Sequence, residues 1–162
     1  PSRPNSGDPE QPAIGRKPMI YARRPWHEAM HLPGSSQVQH AKALLLSRPF
    51  LTRIPDQSLI ASEEGEGTQH VQATRDSGGS YAFVYIPAGS IVGSREIELD
   101  LRALAGAELR AWWYDPRTGA SRSLGVLPKQ ERMTFTVPAG GPDWVLVLDD
   151  AAARYPRPGK QR

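Results

Sequence analysis

From Leu59 to Asp149, apolar and polar residues alternate in short runs divided by small polar turns, with no helical period among them. Arg95–Leu101 is the clearest run. Ile97, Leu99 and Leu101 share one face while Glu96, Glu98 and Asp100 share the other, the period-two pattern of a strand with one wet side. The same reasoning predicts strands over Ser58–Ser62, His70–Arg75, Tyr81–Ile86, Glu108–Tyr114, Ser121–Leu127, Arg132–Val137 and Trp144–Leu148. Ser77-Gly78-Gly79 reads as a hairpin loop, because glycine accepts positive φ. In Asp115-Pro116-Arg117-Thr118-Gly119, Pro pre-sets a turn and Gly takes the left-handed position.

Two strands are apolar on both faces. Tyr81, Phe83 and Tyr85 oppose Ala82, Val84 and Ile86; Trp144, Leu146 and Leu148 oppose Val145 and Val147. Such strands belong at the centre of a sheet with the outer face covered. Phe83, Ile97, Trp113 and Leu146 are expected to share the core between two layers. The fold class is therefore all-β, an antiparallel β-sandwich of about eight strands preceded by a short helical segment.

Before the strands the period becomes helical. Pro25 suits a first turn, and Trp26–Met30 forms a short helix broken by Leu32-Pro33-Gly34. Ser35 or Ser36 caps a second helix that runs to Arg48 and stops ahead of Pro49. Its stripe of Val38, Ala41, Leu44 and Leu45 cannot be buried by one helix alone. Without a covering surface, that helix is expected to fray or to drive self-association.

Composition sharpens the boundaries. The chain is 38% hydrophobic, with 16 Pro and 15 Gly, which implies a modest core. Pro1–Pro12 is rich in Pro, Ser, Gly and Asp and reads as disordered, as does the basic tail over 151–162. The formal charge is +3, yet Ser58–Asp150 holds eight Lys/Arg against thirteen Asp/Glu, so the basic excess lies in the flanks. A nucleic-acid domain needs positive charge on the folded face that meets phosphate, so nucleic acid is not an expected partner. There is no cysteine, hence no disulfide framework and no thiolate metal site. No apolar run is long enough to cross a membrane as a helix, and no signal peptide opens the chain.

Candidate chemistry is sparse. Trp113 shares a face with Leu109 and Ala111 and reads as core, which leaves Trp112 and Tyr114 on the other face with Arg110. That face, with Tyr81 and Tyr85, could stack on sugar rings or anchor a protein. Packing beneath the helix or a partner domain is the favoured reading, because large exposed apolar patches are rare. Glu63, Glu64 and Glu66 around Gly65 and Gly67 could offer oxygens to Ca²⁺, but the spacing matches no EF-hand and a solvated acidic loop fits better. Asp143, Asp149 and Asp150 bracket the last strand and read as turn and strand-end residues rather than a glycosidase pair. His27, His31, His40 and His70 make no metal constellation, so no metal or cofactor is expected.

The order of several strings resembles one family. Arg24-Pro25-Trp26-His27-Glu28-Ala29, Leu32-Pro33-Gly34 and Ser47-Arg48-Pro49-Phe50 resemble the end of the barrel in apiosidase-like glycoside hydrolases of bacteria. Pro55-Asp56-Gln57, Gln72–Asp76, Ala111–Gly119 and Gly141–Val147 resemble the β-sandwich that follows such barrels, a domain named for collagen binding. The resemblance runs from about Gly15 to Asp150. It implies that 15–57 is the remnant of a TIM barrel and 58–150 an accessory sandwich; 1–14, disordered, and 151–162, a disordered basic tail, lie outside it and are read from composition. It implies a non-catalytic module whose doubly apolar strands dock against the barrel, the catalytic carboxylates lying on that barrel. Implied partners are the barrel and either polysaccharide or collagen, with a secreted or periplasmic parent.

Overall fold

The computed structural model describes residues 25–87, 96–139 and 143–160; the expectation of disorder over 1–14 lies outside them. The chain divides into two compact units, 1–39 and 40–162. The first unit holds α1 (Trp26–Ala29) and the start of α2 (Pro33–Leu46). Pro33, rather than a capping serine, opens α2, where a missing N–H is harmless. The Ser35 hydroxyl instead donates back to the carbonyls of Met30 and Leu32, at 2.5 and 2.7 Å. The helix ends at Leu46, two residues before the expected stop, where the Ser47 amide and hydroxyl both return to the Leu44 carbonyl.

The second unit carries the strands β1 (Arg53–Pro55), β2 (Gln72–Asp76), β3 (Tyr81–Ile86), β4 (Glu96–Asp100), β5 (Glu108–Tyr114), β6 (Ser121–Pro128), β7 (Arg132–Thr136) and β8 (Trp144–Asp150). Six form one antiparallel sheet in the order β1-β2-β3-β8-β5-β6, and β4 pairs with β7 in a second. The doubly apolar β3 and β8 are neighbours at the centre, as their composition requires.

One expected strand is absent. Over Ser58–Ser62 the chain instead makes a 3-10 turn, Gln57–Leu59, because the Asp56 carboxylate accepts from the Ser58 amide and closes the backbone. Ile60 keeps a single bridge, to Leu99, and the first strand is β1.

The main core lies between the two sheets. Ile97, Leu99 and Phe135 of the small sheet, with Val137 just past β7, meet Ala82, Val84, Ile86, Leu109, Ala111, Trp113, Leu146 and Leu148 of the large one. Phe83 does not share it. It joins Tyr81, Tyr114, Val145, Val147 and Leu44 in a second cluster. Period two places Phe83 opposite Ala82 and Val84 but does not say which side faces the small sheet. The small side chains of Ala82 and Ala111 take that side and leave room for the Trp113 ring.

Both rims of the large sheet are blunt. β1 is three residues long and ends in Pro55. In β6 the register shifts opposite Ala111/Trp112, and Gly125 adopts φ +93 while its amide donates to the Ser123 hydroxyl at 3.0 Å.

Candidate functional site

The pairing register gathers the five aromatic and basic candidates on the outer face of the large sheet. Arg110 lies opposite Asp149 and Asp149 opposite Tyr81; Trp112 lies opposite Val147; Tyr114 and Tyr85 both flank Val145. Alternation along the strands thus builds one aromatic surface away from the main core.

Most of that surface is closed by the chain itself. Leu44 at the end of α2 packs into the second cluster, with Tyr155 and Trp112 against it. Tyr81 and Tyr114 are fully buried and their hydroxyls are engaged. Tyr114 donates to the His40 carbonyl at 2.8 Å. Tyr81 donates to the Pro49 carbonyl and accepts from Arg53 Nε at 3.0 Å. Burial raises both phenols above the ordinary tyrosine value. Neither ring is available as an open stacking platform.

Arg48 ties the cover down. Its guanidinium grips the Asp149 carboxylate with Nε–Oδ1 at 2.7 Å and Nη2–Oδ2 at 2.6 Å, donates to the Ser47 carbonyl at 2.7 Å, and lies 4.8 Å from the centre of the Tyr155 ring. Burial pushes the Asp149 carboxyl up, and Arg48 followed by Arg110 opposes that shift. Tyr155 crosses Tyr81 edge-on and its hydroxyl sits 2.9 Å from the Ser80 hydroxyl. The stretch after Asp150, disordered by composition, here makes a 3-10 turn over Ala151–Ala153 and then lays Tyr155 on the sheet. The aromatic ring supplies the apolar contact that the basic composition hides.

The open remainder is a rim. Tyr85 is 36% exposed, Trp112 and Arg110 are half-buried. Burial, then the Asp143 carboxylate, raises the Tyr85 phenol.

Of the other candidates, Asp149 lies on this face in its pair with Arg48 and Asp143 acts on Tyr85, while the acidic loop before β2 serves its own contacts. Glu64 joins Gln57 at 3.1 Å and stands 3.9 Å from His70 in the loop before β2. Asp150 caps the Ala152 amide. Among the described residues, no group of three or more His, Asp and Glu side chains could hold a metal ion. His27 and His31 lie in the first unit.

Arg48, Arg53 and Tyr155 escape the sequence reading. One signal points to Arg48: Asp149 shares the parity of Val145 and Val147 on a strand apolar on both sides, and a buried carboxylate there calls for a cation.

Residues 54–149 match the family model described as "Putative collagen-binding domain of a collagenase". A solved structure titled "Glycoside hydrolase" is similar at 33% identity and a TM-score of 0.70, covering 85% of this chain and 31% of its own. A glycoside hydrolase family 5 structure from Bacteroides vulgatus ATCC 8482 is similar at 33% identity and TM-score 0.70, covering 83% and 28%. The chain thus spans less than a third of each of these two structures. No curated protein matches it.

Proposed function

Because the chain belongs to the family described as "Putative collagen-binding domain of a collagenase", we propose that it is a non-catalytic accessory β-sandwich of a glycoside hydrolase. The observation that carries this reading is that chains titled glycoside hydrolases contain the same sandwich at 33% identity. The strings at Arg24–Ala29 and Ala111–Gly119 favour an apiosidase-like parent, in which a barrel supplies the catalytic carboxylates. In this reading the sandwich supports that barrel and contacts polysaccharide through the rim of Tyr85, Trp112 and Arg110. An aromatic edge beside a cation suits the apolar faces and hydroxyls of sugars.

The family's description favours a second reading, a collagen-binding module using the same rim. Pelleting the chain with insoluble polysaccharides and with fibrillar collagen separates the two. Retention on polysaccharide, lost in Tyr85→Ala, supports the first. Retention on collagen alone, lost in Trp112→Ala, supports the second. Turnover of aryl glycosides by this chain by itself would overturn the non-catalytic assignment.

A further inference from the structure

Beyond Asp150 the chain leaves the sheet and comes back over its outer face. After the 3-10 turn Ala151–Ala153, Arg154 takes φ +49, the one positive φ outside glycine among the described residues. A residue with a Cβ is held in that region against its own preference. From this bend Tyr155–Lys160 lies across three strands. The Tyr155 ring meets Tyr81 of β3 edge-on, and Arg157 Nε donates to the Ser121 hydroxyl of β6 at 2.5 Å. On β5, between those strands in the sheet order, Gly159 rests against Tyr114: a Cβ added to it would stand 3.0 Å from the ring. Gly159 comes so close in a turn closed by the Lys160 amide and the Arg157 carbonyl at 3.0 Å, with Pro158 buried and Gly159 at φ +81.

The hold is of a releasable kind. The Arg154 amide bonds the Ala151 carbonyl at 3.4 Å and the Lys160 amide the Arg157 carbonyl, so both backbone bonds stay within the tail. Tyr155 and Arg157 reach the strands by side chain, and the Arg157–Ser121 bond is exposed to water. A chain end held in this way sits at the low end of local stability. We propose that Tyr155–Lys160 is a releasable strap hinged at Arg154, and that its release bares Tyr114 to the polysaccharide assigned above to the adjoining rim. The proposal rests on that reading and adds an autoinhibitory contact to it. Tyr114 follows Trp112 on the same face of β5 and flanks Val145 together with Tyr85, so the bared ring extends the rim without a break. An aromatic ring added beside two others suits a second sugar of the same chain. Closure lowers the apparent affinity by the open fraction, so about tenfold tighter binding on release means a strap shut about nine-tenths of the time.

Gly159→Val tests this in the full chain, because a branched side chain at positive φ beside the Tyr114 ring unseats the strap and touches no strand residue. Two measurements are read. Nitration of Tyr114 by tetranitromethane, mapped by mass spectrometry, is expected to speed up about tenfold, with the already exposed Tyr85 as the unchanged reference. Pelleting with cellulose and xylan suspensions is expected to show half-saturation at about tenfold lower polysaccharide. Tyr155→Ala removes the ring between Arg48 and Tyr81 and gives the same two readings should Gly159→Val not fold. Equal nitration of Tyr114 in variant and natural chain overturns the strap. Faster nitration with retention present but unchanged overturns the inhibitory contact and leaves the rim reading standing. No retention of either protein on either polysaccharide sinks the rim reading and the proposal with it.

Discussion

Arg48 and Asp149, 101 residues apart in sequence, meet as a two-pronged ion pair whose side chains are 0% and 2% exposed. The pair joins the end of α2 to the last strand of the sheet. Breaking one side leaves a buried charge without its partner, which costs about 3–5 kcal/mol. Arg48→Met and Asp149→Ala are each expected to lose that much in urea denaturation. The double variant Arg48→Met/Asp149→Leu should recover most of it, because two apolar side chains leave no charge stranded. A double variant as unstable as the two single losses added together would refute this account.

Acid should weaken the fold through carboxylates held below their ordinary value of 3.8. Asp56 is lowered first by the Ser58 hydroxyl at 2.5 Å and then by Arg75 at 2.6 Å. At Asp76 burial pushes upward, but hydrogen bonds from Thr52, Ser80 and Gly78 outweigh it and hold the carboxyl low. A folded pKa below the unfolded one means that the native state binds fewer protons. The stabilisation is therefore complete above pH 3.8 and fades as pH falls toward the folded values. Thermal melts from pH 6 to pH 2 should show a falling midpoint below about pH 4, with a shallower fall in Asp56→Asn. An unchanged slope in that variant would remove Asp56 from the explanation.

Glycine substitutions should separate strain from clash. Gly79 sits at φ +78 in the β2–β3 turn, and a Cβ there would stand 2.6 Å from the Ala103 carbonyl oxygen and 2.9 Å from the Ala105 amide nitrogen. Gly67 has φ +56 with nothing within 4 Å of its Cβ position. Gly67→Ala should cost about 1–2 kcal/mol, the backbone term alone. Gly79→Ala should cost clearly more, because the atoms it meets are backbone and cannot swing away. Equal losses in chemical denaturation would show that the turn relaxes.

Much of the fold is legible in residues such as Ile97, Leu99 and Leu101, whose strict alternation allows one inward face. The central place of β3 and β8 is legible for the same reason, since residues apolar on both sides need cover on both sides. Ser58–Ser62 misleads because its pattern is strand-like, while one side-chain bond from Asp56 redirects the backbone. Phe83 is assigned to the wrong cluster because period two separates faces without ranking them. The candidate site was readable as a face: parity alone unites Arg110, Trp112 and Tyr114. The helix was readable as its cover, and Leu44 supplies it; Arg48 and Tyr155 were not, because they reach the face from opposite ends of the unit, and long-range partners leave no local period.

The kink at Gly125 has a consequence for how copies of this domain coexist. A straight eight-residue border would offer a row of vacant amides and carbonyls to any identical border nearby, and sheets would zip into fibres. Here one amide on that border is spent on Ser123, and the ladder falls out of step at the bulge. That border is therefore a poor template for pairing with a second copy of itself.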